Sequence, residues 1–274
     1  MKRFFQRHIA IPQDHGAWVF LFSPLLVGIF AGKTFNAASL ALVVAATAAF
    51  LIRQPLTVAV KAYAGRRPKS DLPAARFWLI IYGVIGLASA AELAVLGYSM
   101  LAWLAVPAIP VFAWHLWLVS RREERRKPIV EIAGSGALAL TAPAALWVSS
   151  GSYEPSGWLL WVLCWLQGSA SILYAYMRLE QRAWKVIPES KILLKTASVP
   201  LVFTIFNLLF ASGLAFSGVV PAWLPVAFCI QLFETIWGAA RPAIQVKPTL
   251  IGIRQLIVST IFTLVFILVY LFQG

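Results

Sequence analysis

The chain has 274 residues, of which 61% are hydrophobic and only 12% are charged, and its mean hydropathy is +0.81. A soluble domain usually keeps about a quarter of its residues charged, so this composition points to a lipid bilayer as the main solvent. It excludes a disordered, collagen-like or disulfide-stapled chain. The net charge of +13 would indicate nucleic-acid binding in a soluble protein.

Apolar runs of a length that spans the ~30 Å hydrocarbon core recur along the whole sequence. They predict an all-α polytopic membrane protein with a single transmembrane domain, residues 1–274. The nine predicted helices are 16–32, 37–52, 77–97, 100–119, 131–149, 157–177, 196–217, 221–240 and 255–273. Only Lys33 to Asn36 separates the first two, which requires an antiparallel pair.

The connections between the predicted helices alternate in charge. Even-numbered helices are followed by long basic stretches and odd-numbered helices by short, nearly neutral turns, so that 22 of the 23 Lys and Arg residues lie on one side and only Lys33 on the other. The positive-inside rule therefore predicts a cytoplasmic N-terminus and an external C-terminus. The basic excess is mainly an orientation signal, and no nucleic-acid partner is predicted.

Ionisable residues near or within the helices also gather on the cytoplasmic side, where they predict a polar cavity open to the cytoplasm. They are Asp14, His15, Arg53, His115, Glu131, Arg178, Glu234 and Arg241. Glu92 is the exception toward the outer end.

Three groups among these and neighbouring residues have two interpretations each. Asp14 and His15 either cap the first helix or line the cavity mouth as an acid/base pair. The stripes Arg53, Thr57, Lys61 and Arg178, Arg182, Lys185 either anchor the helices to anionic lipid headgroups or form a clamp for phosphate. Glu234 and Arg241 share a helix face and predict either an ion pair or two membrane-edge charges.

Several short elements resemble the YwiC-like family of multi-pass membrane proteins. They are Asp14-His15-Gly16-Ala17-Trp18 with Ser23-Pro24-Leu25-Leu26, Arg53-Gln54-Pro55-Leu56, Ser171-Ile172-Leu173-Tyr174 leading to Arg178, and Trp237-Gly238 before Arg241-Pro242. The resemblance covers nearly the whole chain and implies a bacterial inner-membrane protein. It implies no reaction, because the family has none established.

The layout is also similar to that of the UbiA-type prenyltransferases, which implies a UbiA-like helical bundle with large cytoplasmic loops after helices two and six. That superfamily places Mg²⁺-binding aspartates there. The corresponding segments here run from Arg53 to Lys61 and from Arg178 to Arg182, with Glu180 as their one acidic residue. Mg²⁺-dependent prenyl transfer is therefore not expected, and no metal or cofactor is predicted.

The sequence thus predicts membrane lipids as partners and an anionic isoprenoid, lipid phosphate or quinone-type ligand in a basic cavity. Its predicted ligand-binding residues are Arg53, Lys61, His115, Arg178, Arg182, Glu234 and Arg241, and a catalytic version uses Asp14 and His15. A transporter for a small anion or metabolite and a structural partner in a membrane complex are the alternatives. The absence of paired Gly/Pro breaks at mid-depth disfavours transport, and protein partners stay undetermined.

Overall fold

The computed structural model describes residues 6–12, 15–123 and 127–273, and in this part of the chain the secondary structure is helical throughout. The α-helices are α1 Arg7–Ala10, α2 His15–Ala31, α3 Ala37–Tyr63, α4 Leu72–Val95, α5 Ala105–Arg121, α6 Pro128–Ala139, α7 Thr141–Ser150, α8 Ser156–Gln181, α9 Ser190–Phe216, α10 Pro225–Ala240 and α11 Pro248–Gln273. Short 3₁₀ helices, Lys69–Asp71 and Ser99–Leu104, precede α4 and α5.

Seven of the described helical segments are long and apolar enough to cross a membrane, and Gly16–Ala31 and Pro225–Ala240 are shorter apolar helices. The chain is therefore an all-α polytopic membrane protein, as predicted. Large apolar side chains such as Leu87 and Leu209 are mostly exposed on these segments, where they contact lipid.

The interior of the bundle is built around α2 and α7. Gly28 and Gly32 of α2 form a Gly-x-x-x-Gly pattern, in which a methyl group on Gly28 would lie 2.2 Å from the Ala142 carbonyl oxygen. Residues 142–149 of α7 are all buried, and α2 also packs against α6, α8 and α11. Small residues let these backbones approach closely where there is no hydrophobic drive between helices in lipid.

Contacts between connections support the predicted two-sided arrangement. The Arg66 side chain donates to the Val119 carbonyl, and Arg182 Nε lies 3.1 Å from the Val246 carbonyl, so each contact joins two basic regions. On the opposite side Thr34 donates to the Ser149 carbonyl, and the Trp223 amide donates to Gln273 Oε1 over 3.2 Å. Even-numbered predicted helices therefore end together.

Glu123 and Lys127, two described residues of the basic connection after α5, are exposed. Lys127 Nζ lies 2.9 Å from Glu123 Oε2, and this hydrogen bond, with the Lys127 charge, lowers the pKa of the Glu123 carboxyl from its ordinary value.

Several predicted helix boundaries are wrong, including the starts at 77, 196, 221 and 255, where the helices begin at Leu72, Ser190, Pro225 and Pro248, and three further differences change the description of a span. The helix predicted at 37–52 continues to Tyr63 through the buried Pro55, because the polar residues after Ile52 mark the membrane boundary and not the helix end. The helix predicted at 100–119 begins as a 3₁₀ segment, Ser99–Leu104.

The third correction is a break inside a span. The helix predicted at 131–149 divides at Leu140 into α6 and α7. Pro143 has no N–H to bond the Ala139 carbonyl, so one hydrogen bond of the regular ladder is missing at this point. The Thr141 hydroxyl contacts the Leu21 carbonyl at 3.1 Å and the Leu138 carbonyl at 2.9 Å, which holds the break against α2.

Candidate functional site

A basic pocket of about 370 Å³ lies where α1, the end of α3 and the following turn meet. Its lining residues are His8, Gln54, Thr57, Val58, Lys61, Arg66 and Arg67. Helical spacing explains the α3 contribution, since residues 54, 57, 58 and 61 return to one face. The pocket combines several cationic or hydrogen-bonding groups in a volume typical of small-molecule sites.

Neighbouring contacts fix the walls of the basic pocket. Ile9 of α1 is fully buried in a cluster with Val58 and Ala75, and Gln54 Nε2 donates to the His8 carbonyl over 2.8 Å. Arg66 is held by its contact with the Val119 carbonyl. Arg67 Nε lies 3.4 Å from Asp71 Oδ2, with both side chains partly exposed, so this pair contributes little to stability.

A second polar group, the ion-pair cluster, joins α8, α10 and α11 and consists of Tyr174, Arg178, Glu234, Trp237 and Arg254. Arg254 contacts Glu234 bidentately, with Nε to Oε1 at 2.5 Å and Nη2 to Oε2 at 2.9 Å. The Tyr174 hydroxyl donates to Glu234 Oε1, and the Arg254 guanidinium lies 3.4 Å from the centre of the Trp237 ring. The carboxylate of Glu234 is thus fully engaged by donors from two neighbouring helices.

Arg178 is buried, with 5% of its surface exposed, and it caps the end of α10. Its Nη1 donates to the carbonyls of Gly238 at 2.8 Å and Arg241 at 2.6 Å, and to Gln181 Oε1 at 2.9 Å. The last carbonyls of a helix have no partner within the helix and carry partial negative charge. The guanidinium therefore satisfies the C-terminus of α10 from within the protein.

Gly238 makes this close arrangement possible. A methyl group at Gly238 would lie 2.6 Å from Tyr174 Cε2. Helical spacing brings the rest together, because Tyr174 and Arg178 are one turn apart on α8 and Glu234 and Trp237 are one turn apart on α10.

The predicted ligand-binding residues form two groups in the structure. Lys61 lines the basic pocket, and Arg53 lies on the same helix with its guanidinium 5.6 Å from the Phe50 ring. Arg178 and Glu234 belong to the ion-pair cluster, with the exposed Arg182 and Arg241 at the adjoining helix ends. Among the described residues, no member of α8, α10 or α11 lines the basic pocket. The predicted ligand-binding residues therefore do not line one common cavity.

The remaining predicted site residues lie on another helix or fall outside the described residues. His115 is half-buried on α5. Asp14 and the side chain of His15 lie outside the described residues, although His15 begins α2. Their catalytic role stays a prediction. The stripe Arg178, Arg182, Lys185 is interrupted, because α8 ends at Gln181 and Lys185 lies beyond it.

The sequence interpretation missed residues in both places. Arg66 and Arg67 of the basic pocket enter the sequence interpretation only as orientation charges, and His8 does not enter it. Arg254 lies in a predicted loop because the last helix is predicted to begin at 255. In the structure α11 begins at Pro248, which puts Arg254 inside a helix beside Glu234. In the sequence, the one-turn spacings of Tyr174 with Arg178 and of Glu234 with Trp237 are the signals that point to the ion-pair cluster.

Two comparisons with known proteins bear on this arrangement. Residues 11–146 match a family model described as YwiC-like protein. The chain is thus similar to the YwiC-like family over this part of its length. It is also similar to the uncharacterized protein YwiC of Bacillus subtilis (strain 168), with 23% identity over 218 residues that cover 80% of this chain and 85% of that protein.

These matches confirm the YwiC-like resemblance. No solved structure matches the YwiC-like chain, and the UbiA-like architecture stays a prediction. The family match includes the α3 residues of the basic pocket and ends before Tyr174, Arg178, Glu234 and Arg254 of the ion-pair cluster.

Proposed function

We propose that this YwiC-like protein binds the phosphate or diphosphate headgroup of an amphipathic lipid, such as an isoprenoid phosphate, in the basic pocket. The proposal places the protein in the bacterial cytoplasmic membrane with the pocket facing the cytoplasm. The observation that carries it is the meeting of Lys61, Arg66 and Arg67 around a cavity of about 370 Å³.

The chemistry of the pocket suits a phosphate group. Arg offers a planar fork of donors that suits phosphate oxygens, and Lys adds a compact charge. The Thr57 hydroxyl and the His8 ring also belong to the lining, and both can donate hydrogen bonds. Anchoring of Arg66 through the Val119 carbonyl lowers the cost of ordering that side chain when a ligand binds.

The position of the pocket suits an amphipathic molecule. Its α3 residues occupy the last turns of Ala37–Tyr63, a segment apolar enough to span the membrane. Ile11 and Tyr63, next to the pocket in sequence, expose 38% and 65% of their surfaces. A headgroup held here would leave its apolar chain beside the lipid-facing surface of α3.

The test measures affinity in nanodiscs of uncharged phosphatidylcholine, with farnesyl diphosphate, pyrophosphate and farnesol as probes. We expect farnesyl diphosphate to bind best, pyrophosphate weakly and farnesol little. Each of Lys61→Gln and Arg67→Gln should weaken farnesyl diphosphate about tenfold, the loss expected for one charge-assisted contact.

Lys69→Gln is the matched control. Lys69 is exposed in the same connection and does not line the pocket. Equal losses in all three variants would indicate general attraction of a basic surface for anions, and no binding by the wild type would exclude the proposed function.

Transport is the second candidate, and the break at Leu140 favours it. It divides the Pro128–Ser150 span into two short helices near its middle, the kind of interruption that forms substrate and ion sites in transporters. Uptake of radiolabelled phosphate into proteoliposomes, compared with protein-free vesicles, tests this version. Uptake equal to that of the protein-free vesicles would count against it.

A further inference from the structure

A small central cavity lies between α2, α6, α8 and α11, away from the basic pocket. The lining residues come from the middle turns of α2, α8 and α11 and from the end of α6, which lies midway along the Pro128–Ser150 span, so the cavity lies near mid-depth of the spanning helices. Its oxygen-bearing side chains are Ser23, Ser135, Gln167, Ser259 and Thr263. Its volume of about 30 Å³ has room for one or two water-sized particles and excludes a metabolite.

Three buried glutamines, the amide cluster of Gln167, Gln231 and Gln255, adjoin this cavity through Gln167, which lines it. The Thr235 hydroxyl donates its one hydrogen to the Gln231 backbone carbonyl over 2.8 Å. Its oxygen is therefore left to accept from Gln231 Nε2, 3.5 Å away. This fixes the Gln231 side chain with Oε1 toward the other two glutamines.

Gln231 Oε1 then accepts two hydrogen bonds, from Gln167 Nε2 at 3.2 Å and from Gln255 Nε2 at 2.8 Å. Both donors are thereby directed to one oxygen. Gln167 Oε1 and Gln255 Oε1 have no hydrogen-bond partner within the described part of the chain. Gln167 is 5% exposed and lines the central cavity, so a buried acceptor with no donor belongs to its wall.

Two prolines add further acceptors. Pro24 in α2 and Pro143 in α7 lack the N–H that would bond the carbonyls of Phe20 and Ala139, and both of these residues line the cavity. Ala139 is also the last residue of α6, where the helix dipole places partial negative charge. The surroundings of the cavity thus hold more acceptors than donors, which selects a cation or a donor over an anion.

The donor set distinguishes among cations. Carboxylates, which Ca²⁺ and Mg²⁺ sites normally include, do not occur in the described lining, and Glu234, one turn from Gln231, is occupied by Arg254. Neutral amide, hydroxyl and carbonyl oxygens are the groups that hold alkali cations within membranes, often at the ends of interrupted helices. We propose that the central cavity binds a small monovalent cation, for which Na⁺ is the probe.

The experiment measures thermal unfolding of the full chain in nanodiscs of uncharged lipid. NaCl replaces N-methylglucamine chloride stepwise at constant ionic strength, with no phosphate-bearing ligand present. Because a ligand that binds only the folded state raises Tm, we expect a saturable rise with Na⁺. A Tm that is the same in Na⁺, K⁺ and N-methylglucamine would overturn the proposal and leave only water for the cavity.

Two threonines of α11 provide a matched pair. Thr263 and Thr260 each donate to the carbonyl four residues earlier over 2.8 Å, but Thr263 lines the cavity and Thr260 is exposed. Thr263→Val and Gln167→Leu should abolish the Na⁺-dependent rise, and Thr260→Val should keep it. If Gln167→Leu does not fold, the threonine pair decides; an unchanged Na⁺ response in Thr263→Val would contradict the site. Neither result depends on phosphate binding at the basic pocket.

Discussion

The basic pocket and the ion-pair cluster both place arginines at helix ends, but they use them in opposite ways. In the cluster, Arg178 and Arg254 are matched to acceptors of the protein, namely the α10 carbonyls and the Glu234 carboxylate. In the pocket, Lys61, Arg66 and Arg67 line a cavity of about 370 Å³, and the partly exposed Arg67 side chain lies 3.4 Å from Asp71. The surroundings of a charge, and not its place in the sequence, separate a stabilising arginine from a candidate ligand-binding one.

The largest effect should come from Arg178→Met, which leaves the Gly238 and Arg241 carbonyls without their donor. We expect a loss of about 3 kcal/mol of unfolding free energy, which corresponds to a fall in Tm of roughly 6–12 °C. Arg182→Met is the control, because Arg182 is exposed and its described contact is one bond to the Val246 carbonyl. Equal shifts in the two variants would remove the distinction between buried and exposed arginines.

Gly28→Ala tests how closely α2 and α7 pack in the interior of the bundle. The new methyl group would lie 2.2 Å from the Ala142 carbonyl oxygen, a backbone atom that cannot turn aside. We expect a loss of about 1–3 kcal/mol, measured by thermal unfolding. Gly252→Ala in α11, where a methyl group meets nothing within 4 Å, should be neutral or slightly stabilising. A neutral Gly28→Ala would contradict close α2–α7 packing.

A double-mutant cycle of Glu234→Gln and Arg254→Gln measures the charge pair directly. The carboxylate side chain is 9% exposed and the arginine 42%, so the coupling should lie between surface and buried values, at about 1 kcal/mol. Thermal unfolding of the four proteins gives this number. Additive effects would mean that the pair contributes only through its separate contacts with Tyr174 and Trp237.

The smallest effect on stability should come from Lys61→Gln. We expect a change within about 0.5 kcal/mol, because Lys61 is half-buried at the pocket wall and not in the core. The same variant should weaken farnesyl diphosphate binding about tenfold. A large fall in Tm would show instead that Lys61 stabilises the fold, as Arg178 does.

Much of the fold could be predicted from the sequence, since run length and loop charge respond directly to the bilayer. Helix ends and breaks were harder. Hydropathy marks where the apolar run ends, but α3 continues beyond that run up to Tyr63. At Leu140 the apolar run is unbroken, and the interruption depends on backbone hydrogen bonds that Pro143 removes.

The candidate site was predictable only in part. Glu234 was recognised as a charge that needs a partner, but Arg241 was chosen for its position on the same helix. The structure assigns the pair to Arg254 of another helix. Lys61 was selected with Arg53 as a stripe on one helix, whereas the pocket is completed by His8 from α1 and two arginines from the turn after α3. Local spacing cannot show which separate elements come together.

Photo-crosslinking with a diazirine-bearing isoprenyl diphosphate, followed by peptide mapping, tests the central claim most directly. Peptides that contain residues 54–67 and the α1 segment should be labelled, and unlabelled farnesyl diphosphate should compete. The double variant Lys61→Gln/Arg67→Gln should lose this labelling while its Tm stays close to that of the wild type. Label on α8, α10 and α11 instead, or label spread evenly over the lipid-facing helices, would contradict binding at the basic pocket.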